Sequence, residues 1–391
     1  MRIRRLPWRV RVALVTIPAA AAMFAALALA PRHDGPSAGA APFAAETRCI
    51  PIDPITSVGS LNTLASKVRG GAEFQGADVG ADVTLQDGRR LWVFGDTLRA
   101  PSFKGQRFVR NSMLVFQSGC ADVVLPADHG ALIPDRADGV GYWPMSIAKV
   151  ERTGYDLVGV AVQRVRSADQ PDGAGAFTNL GPAIALFIVR RGDTPQLLRV
   201  ADIGADSAGT TRPTWGAASE VHDGWVYLYG TSNPQKKLVF GFSLQVARVR
   251  PDDILTTSRW RYWDGSHWQK SPDRAATLIP ADGGVSQTLS VFEKDGRWFA
   301  VSKRNEFLGT DLVVWSSPGP TGPFTAGAPL AKIPSEAGGG TLRYMPLAHP
   351  DLLPEPGTVV VSYSQNDTDA AKVDNNPFLY RPRFLRVDLP R

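Results

Sequence analysis

The stretch Gln86-Asp87-Gly88-Arg89-Arg90-Leu91-Trp92-Val93-Phe94-Gly95-Asp96-Thr97 joins a tight turn to an aromatic-rich apolar strand. Its Asp-Gly pair supplies the positive φ that a hairpin turn requires. The same pattern returns at 222–230 and at 294–302, and weaker copies occupy 153–160 and 356–363. The sequence therefore predicts a β-hairpin that recurs five times.

The five turn glycines follow one another at intervals of 61 to 72 residues: Gly88, Gly154, Gly224, Gly296 and Gly357. Each hairpin is followed by another strand-like run, at 112–117, 184–189, 238–242, 311–316 and 383–387. Units of this length are too long for small solenoid repeats and are typical of propeller blades with elaborated loops. We therefore predict an all-β, five-bladed β-propeller over residues 46–391. The alternatives are a β-sandwich or two smaller β-domains, which would not recur so regularly.

The first 45 residues have a different composition. Five arginines precede an uncharged apolar run at 12–30, and small residues follow at 35–42. This order is typical of an export signal, and a run of this length can also span a bilayer. We therefore expect residues 1–45 to be a cleaved signal peptide or a retained membrane anchor. In both cases the domain lies outside the cytoplasm, and it contacts a membrane only through this segment, if the segment is not cleaved.

The basic character of the chain comes mostly from its first 45 residues. They hold six arginines and one aspartate, so that 37 basic and 36 acidic side chains remain in the rest. Nucleic-acid binding calls for a strongly basic face, which such a balance argues against. We expect no nucleic-acid partner and a monomer.

Cys49 and Cys120 are the only cysteines. In an oxidising compartment, two cysteines read most simply as one disulfide. They and the five scattered histidines lack the spacing of a metal site, so we expect neither a metal nor a cofactor.

Several motifs resemble the domain-of-unknown-function family 4185. The first is Gly76-Ala77-Asp78-Val79-Gly80, followed by 87–97 and Asn111-Ser112. The later ones are Tyr142-Trp143-Pro144, Trp263-Asp264-Gly265, Ser317-Pro318, Thr321-Gly322-Pro323 and Tyr363-Ser364-Gln365-Asn366. That family looks like the five-bladed propellers of glycoside hydrolase clans that include arabinanases. Some of its relatives form glycoside hydrolase family 183, whose members are endo-D-arabinanases. The resemblance thus implies a glycosidase for furanose polymers.

Blade geometry predicts where a catalytic site would lie. If the Asp-Gly turns mark the far end of the central channel, residues before the first strand of a hairpin and after its second strand meet at the near end. In the first unit these are Asp78 and Asp96. Glycoside hydrolysis needs two carboxyl groups, so we predict Asp78 as general base or nucleophile and Asp96 as the group that tunes or orients it. Asp96 could instead belong to a turn, and Asp82 competes with Asp78 but lies deeper along the strand.

The same rule places Glu306 at the near end of the fourth unit, and we predict it as the general acid. Glu220 falls closer to the far end, and Asp367 of the fifth unit remains an alternative. Residues at corresponding positions are predicted to bind substrate. The aromatic ones would stack on sugar rings or fill the space between blades, and the polar ones would bond hydroxyl groups. They are Asn111, Trp143, Asn233, Arg304, Asn305, Arg343, Tyr344 and Asn366.

The sequence thus favours an exported glycoside hydrolase that acts on a cell-envelope polysaccharide, with arabinan as the substrate that the resemblance implies. One alternative is a propeller that binds carbohydrate without cleaving it. Another is a propeller that binds other envelope proteins. A pair of carboxyl groups at one end of the channel would favour the enzyme.

Overall fold

Five antiparallel sheets surround a central channel in the computed structural model, which describes residues 45–167 and 177–390. The innermost strands of neighbouring sheets contact one another in a closed cycle, so that each sheet is one blade of a five-bladed β-propeller. The predicted fold class is therefore confirmed. The predicted export segment lies almost entirely outside the described residues.

Each blade starts at the channel and adds strands outward. From the channel outward, blade 1 consists of β2 (Gly76–Thr84), β3 (Arg90–Leu98), β5 (Ser112–Gln117), β6 (Cys120–Pro126) and β1 (Ala45–Pro51), with β4 (Phe108–Val109) beside β3. In the same order, blade 2 consists of β7 (Gly141–Arg152), β8 (Tyr155–Ser167), β9 (Phe177–Arg190) and β10 (Gln196–Asp202), and blade 3 of β11 (Thr214–His222), β12 (Trp225–Ser232), β13 (Ser243–Val249), β14 (Arg261–Trp263) and β15 (Trp268–Gln269). Blade 4 consists of β16 (Ser290–Lys294), β17 (Arg297–Lys303), β18 (Asp311–Ser317) and β19 (Thr325–Ala326), with β20 (Ala331–Lys332) also on β18, and blade 5 of β21 (Thr341–His349), β22 (Thr358–Asp367) and β23 (Arg383–Asp388).

Two α-helices and several 3₁₀ turns connect these strands: α1 (Val58–Lys67), α2 (Ala370–Asn375), and the turns Pro251–Asp253, Thr257–Arg259, Pro272–Arg274, Glu306–Leu308, Ala337–Gly339 and Pro377–Leu379. Helix α1 begins with a capping box, in which Ser57 and Ser60 bond each other's backbone N–H groups. Neither of these described helices is both long and apolar enough to cross a membrane.

The hairpin turns have the predicted conformation. All five turn glycines have φ between +70° and +85°, in the left-handed region that glycine adopts without strain. In blades 3 and 4 the preceding aspartates, Asp223 and Asp295, also have positive φ, as a type I′ turn requires. The residues of each turn therefore specify the hairpin that recurs once in every blade.

One strand was predicted in the wrong place. Residues 238–242 do not form the third strand of blade 3, which is β13, immediately after them. Leu238 instead lies in a loop with φ of +66° and is 73% exposed. The run at 238–242 is more apolar than β13, whose sequence Ser-Leu-Gln-Val-Ala-Arg-Val mixes apolar and polar residues. For this reason the sequence favoured the wrong segment.

The hydrophobic core lies between blades rather than within one sheet. One cluster joins blades 1 and 2, another blades 3 and 4, and a third blades 4 and 5. Among the tryptophans of the strands, Trp92, Trp298 and Trp315 are buried, whereas Trp225 is only partly buried. Close packing of neighbouring blades fixes the geometry of the channel that they surround.

The ring closes between blades 5 and 1 with the help of a helix. Blade 5 has three strands, and α1 packs on its outer strand β23. The Asn62 amide donates to the Phe384 carbonyl at 2.8 Å and accepts from the Phe384 N–H at 2.9 Å, as a neighbouring strand would do. The predicted disulfide between Cys49 and Cys120 is present and fastens β1 to β6.

A β-bulge interrupts four of the five inner strands near their starts. The shifts in register fall between Ala77 and Ala81 in β2, between Pro144 and Ser146 in β7, between Trp215 and Ala218 in β11, and between Tyr344 and Leu347 in β21. A bulge bends the strand and redirects its side chains. The bulges therefore separate the near end of the channel, where the inner strands start, from its far end at the hairpin turns.

Candidate functional site

Asp78 lies in the bulge of β2, between the paired residues Ala77 and Val79. Val79 has φ of +65°, and its N–H donates to Ser364 Oγ of blade 5 at 3.0 Å, which holds the bulge in place. Asp78 is only 5% exposed, and its Oδ2 accepts a hydrogen bond of 2.9 Å from the Tyr344 hydroxyl. A Cβ at Gly95 would come within 2.4 Å of Asp78 Oδ1. Glycine at that position thus makes room for the carboxyl group.

Asp96 is the neighbour of Asp78 on β3, as the hairpin predicts. It is buried inside the strand and not in a turn, so the turn interpretation is wrong. Its Oδ1 accepts a hydrogen bond of 2.8 Å from Trp143 Nε1 in blade 2. The Tyr380 hydroxyl donates to the Asp96 carbonyl at 2.8 Å. Asp96 is therefore held by groups from both sides of blade 1.

Burial changes the acidity of both aspartates. It raises the pKa of Asp78 to about 6, although the hydroxyls of Tyr344 and Tyr380 and nearby backbone N–H groups favour the charged form. Burial and the neighbouring charge of Asp78 together raise the pKa of Asp96 well above its usual value. Both aspartates therefore bind a proton more readily than an exposed carboxyl group does, and the charge of each disfavours a charge on the other.

Glu306 follows β17 in a strained turn, in which Asn305 and Glu306 have φ of +62° and +56°. The Gln287 N–H donates to Glu306 Oε2 at 2.7 Å. Burial raises the pKa of this half-buried carboxyl group to about 7. Lys303, fully buried beneath the turn, donates to the carbonyls of Phe307 and Arg343 and so ties the turn to blade 5.

A chain of contacts surrounds the near end of the channel. Gln287 Nε2 donates to Gln163 Oε1 at 2.5 Å, Gln163 pairs with Trp143 across blade 2, and Trp143 bonds Asp96. In the other direction, the Phe307 ring lies 6.2 Å from the Tyr344 ring, and Tyr344 bonds Asp78. We call this set the polar ring: Asp78, Asp96, Trp143, Gln163, Gln287, Glu306 and Tyr344. It brings the three predicted catalytic carboxyl groups to one end of the channel.

Blade 3 supports the polar ring from outside. Thr231 Oγ1 donates to the Gln287 carbonyl at 2.7 Å. Every blade thus contributes to the near end, and this placement agrees with the rule that residues flanking the hairpins converge there.

Two of the residues predicted to bind substrate belong to the polar ring. Trp143 is half-buried, and its ring contacts Phe177 edge-on with centroids 4.4 Å apart. Tyr344 is 2% exposed. A ring this buried has no free face for a sugar, so stacking is the wrong role for Tyr344. Its hydroxyl holds Asp78 instead.

Three predicted asparagines bond parts of the fold. The Asn111 amide is buried and bonds backbone groups of Ile133 and Tyr142. The Asn233 amide bonds carbonyls in its own loop. Asn366 is buried, and its Oδ1 accepts from the backbone N–H of Asp367. Asp367, the alternative acid, ends β22, and its carboxylate accepts from the Asp369 N–H at 2.9 Å. Through these hydrogen bonds the three asparagines stabilise the fold at the near end of the channel.

The remaining predicted binding residues surround Glu306. Arg304 and Asn305 are half-buried in the same turn, where their backbone N–H groups bond the carbonyls of Asp311 and Gly284. Arg343 donates to Glu336 and to the Pro334 carbonyl, both at 3.0 Å. Arg304 and Asn305 thus precede the predicted acid in its own turn, whereas the Arg343 side chain bonds groups at 334–336.

The competing acids lie toward the far end. The Asp82 side chain is buried between Arg90 and His349, and although burial opposes it, these two lower its pKa to about 2. Glu220 lines a cavity of about 430 Å³ in the far half of the channel, with Glu293 and Asp351. Burial and the charges of these two neighbours raise its pKa to about 8. Glu220 is therefore on the side of the bulges opposite to Asp78, as the sequence predicted.

Several residues of the near end were missed in the sequence. Gln163 follows the run predicted at 153–160 and lies in the second half of β8, Gln287 precedes the inner strand β16, and Lys303 ends the returning strand β17. The same positional rule would have found all three, had it been applied to amides and amines as well as to carboxyl groups. Tyr380 carries no such signal, because it follows the 3₁₀ turn Pro377–Leu379.

In the described part of the chain, one group of three potential metal ligands lies close together: Cys49, Cys120 and Asp122. Both sulfurs are joined in the disulfide, so neither can act as a thiolate ligand. The group does not have the chemistry of a metal site.

The fold has relatives among solved structures. A protein from Bacteroides ovatus, provisionally described as a hydrolase, superposes with a TM-score of 0.60 at 19% identity over 84% of this chain and 89% of that one. A GH43_1 enzyme from Xanthomonas citri, solved with xylose, gives a TM-score of 0.46 at 15% identity over 84% and 95% of the two chains. An arabinoxylan arabinofuranohydrolase of glycoside hydrolase family 43 from Bacillus subtilis gives 0.47 at 15% over 81% and 63%. The first likeness supports the fold, and the other two are too distant to add to it.

No curated protein matches the chain in sequence. A family model, in contrast, matches residues 64–389, which hold every strand of the five blades except β1, and the whole polar ring. The chain therefore belongs to the family described as domain of unknown function DUF5005.

Proposed function

We propose that the protein is a glycoside hydrolase that cleaves a polysaccharide of the cell envelope. The observation that carries this proposal is the polar ring, in which Asp78 and Glu306 occupy the same end of the channel with different acidities. Enzymes that hydrolyse glycosidic bonds need one carboxyl group that is charged and another that is protonated at the working pH. Asp78 and Glu306 fit these two states near pH 6 to 7.

The roles follow from the protonation states. Glu306 donates its proton to the leaving oxygen, and Asp78 either activates water or attacks the sugar carbon. The raised pKa of Asp96 disfavours a second charge beside Asp78. Tyr344 and Trp143 hold the two aspartates in place through their hydroxyl and indole donors.

The substrate class rests on the resemblance to family 4185 and glycoside hydrolase family 183. This resemblance supports arabinan as the polysaccharide and endo-acting cleavage as the reaction. The disulfide between Cys49 and Cys120 supports an oxidising compartment, consistent with export by the segment at 1–45. The polysaccharide would then be met outside the cytoplasm.

A second candidate is a propeller that binds carbohydrate without cleaving it. The low exposure of Asp78, at 5%, favours this alternative, because a buried carboxyl group is hard for a glycosidic bond to approach. The two candidates differ in one measurable result, the release of oligosaccharides.

The experiment incubates the purified protein with arabinogalactan and other envelope glycans, and released oligosaccharides are separated by chromatography. We expect release by the wild type and a loss of about 10²-fold or more in rate for Asp78→Asn and for Glu306→Gln. Glu220→Gln is the matched control, because it removes another channel carboxyl group with a raised pKa, on the other side of the bulges. It should retain wild-type rates.

Two results would count against the proposal. Equal loss in Glu220→Gln would move the chemistry to the far half of the channel. No release from any glycan by folded wild-type protein, together with retention on a glycan column, would establish the binding propeller instead.

A further inference from the structure

An apolar groove lies between helix α1 and the outer side of blades 1 and 5. It has a volume of about 440 Å³, within the range of about 300–1,000 Å³ that is usual for small-molecule sites. Its walls include Ile50, Leu61, Phe74, Leu114 and Phe384. No member of the polar ring lines it, so it is separate from the candidate catalytic site.

Three charged side chains line this groove: Asp53 is exposed, Arg90 pairs with Asp82, and Arg381 is buried. Arg381 is 6% exposed and places its guanidinium 5.5 Å from the centres of the Phe74 and Phe378 rings. Its Nε donates to the Gln75 carbonyl at 2.5 Å and its Nη1 to the Val68 carbonyl at 3.4 Å. Nη2 has no hydrogen-bond partner among residues 45–167 and 177–390.

The charge of Arg381 is also uncompensated. Burial lowers its pKa to about 10, so it remains charged at neutral pH, and no described carboxylate forms an ion pair with it. A buried charge without a counter-charge is costly, and arginine is suited to carboxylates because its nitrogens form a planar fork. Nη2 lies beside Gly70, another wall residue of the groove. The free donor is thus at the edge of the apolar space.

Trp92 provides a second unused donor in the same wall. Its indole stacks on His349 at 5.3 Å, and its Nε1 is buried without a partner in the described part of the chain. Buried indole N–H groups usually find an acceptor. Two unpaired buried donors in a mainly apolar groove indicate a ligand with an acceptor group on an apolar body.

We propose that this groove binds a single-chain amphiphile with an aliphatic tail and a carboxylate head, whose oxygen accepts a hydrogen bond from Arg381 Nη2. The tail lies along the wall formed by α1 and blade 1. The proposal is independent of the catalytic one, since it involves none of the same side chains.

The test uses a fluorescent fatty acid, cis-parinaric acid, and its methyl ester, each titrated into the purified protein. The ester has the same tail but no charge, so wild type should bind the acid about tenfold or more tightly than the ester. In Arg381→Met this preference should disappear, through weaker binding of the acid. Arg383→Met is the matched control: it removes an equal charge two residues away, and Arg383 does not line the groove.

A second variant keeps the test decisive if Arg381→Met does not fold, which its thermal unfolding would reveal. Ala65 is a buried wall residue on α1, and Ala65→Phe fills the groove while retaining Arg381. It should abolish binding of both probes. Failure of wild type to bind the acid, equal affinity for acid and ester, or unchanged binding by Ala65→Phe would each overturn the proposal.

Discussion

The Tyr344 hydroxyl donates to the charged oxygen of Asp78, and a hydrogen bond to the charged form lowers the pKa of an acid. Tyr344→Phe removes this donor without changing the shape of the ring. We expect the pKa of Asp78 to rise from about 6, by up to about one unit. The acidic limb of the pH profile of kcat/KM should move upward with it.

The profile of the wild type provides the reference. Activity requires charged Asp78, above about pH 6, and protonated Glu306, below about pH 7, so it should be bell-shaped between these limits. Tyr229→Phe is the control, because that buried hydroxyl bonds the Pro320 carbonyl instead. An acidic limb that stays in place in Tyr344→Phe would mean that Asp78 does not set it.

For single residues, the sequence could predict the end of the channel at which a side chain lies but not the groups that it contacts. Asp78 and Asp96 were found because a hairpin brings the residue before its first strand beside the end of its second. Tyr344 was placed correctly and assigned the wrong task, since nothing in a sequence tells whether an aromatic ring lies at the surface or beneath it. Asn111 and Asn366 were misjudged for the same reason. Burial depends on how blades pack, and that information is not local.

Helix α1 takes the place of an outer strand in blade 5, and Asn62 makes the two bonds that such a strand would make with Phe384. Asn62→Ala leaves both Phe384 backbone groups without these partners. We expect a loss of about 1–3 kcal/mol in the free energy of unfolding, because unpaired, partly buried backbone groups are costly. Chemical denaturation measures it.

Asn375→Ala is the matched control for this change. Its amide bonds one carbonyl inside the exposed helix α2, so its removal should cost about 0.5 kcal/mol or less. Equal effects of the two substitutions would show that α1 does not close the ring.

The elements that could be predicted are those with local chemistry. Asp-Gly turns require positive φ wherever they occur, so the five hairpins were recognised from single turns. The third strand of blade 3 was missed, because the run at 238–242 is more apolar than the strand after it, in which apolar and polar residues alternate. The role of α1 was not predicted either, since it depends on a contact between residues 322 positions apart.

The channel collects carboxyl groups at both of its ends, and this arrangement affects the whole molecule. Asp78, Asp96, Glu220 and Glu306 all have raised pKa values in the folded protein because of burial. Between the pKa values of unfolded acids, about 4, and those of the folded state, the native protein binds more protons than the unfolded chain. The contribution of these four groups to the free energy of unfolding is fully present below about pH 4, and it is lost as the pH rises through about 6 to 8.

Asp82 changes the free energy of unfolding in the opposite direction and in a lower pH range. Its pKa is lowered to about 2, so its contribution is complete above about pH 4 and is lost only below that. The two effects together place maximal stability near pH 4 to 5. We expect the free energy of unfolding in urea to fall by about 2–4 kcal/mol between pH 5 and pH 8, less than the full shifts would give because Glu220 and Glu306 are partly exposed.

Glu220→Gln tests the origin of this loss: the pKa of Glu220 is raised to about 8, so its removal should flatten the decline above pH 6. Glu151→Gln removes an exposed carboxylate from the same cavity wall, where it pairs with Lys149, and should leave the slope unchanged. A wild-type stability that rises from pH 5 to pH 8 would contradict the prediction. It would mean that the channel carboxyl groups are stabilised by charge partners rather than disfavoured by burial.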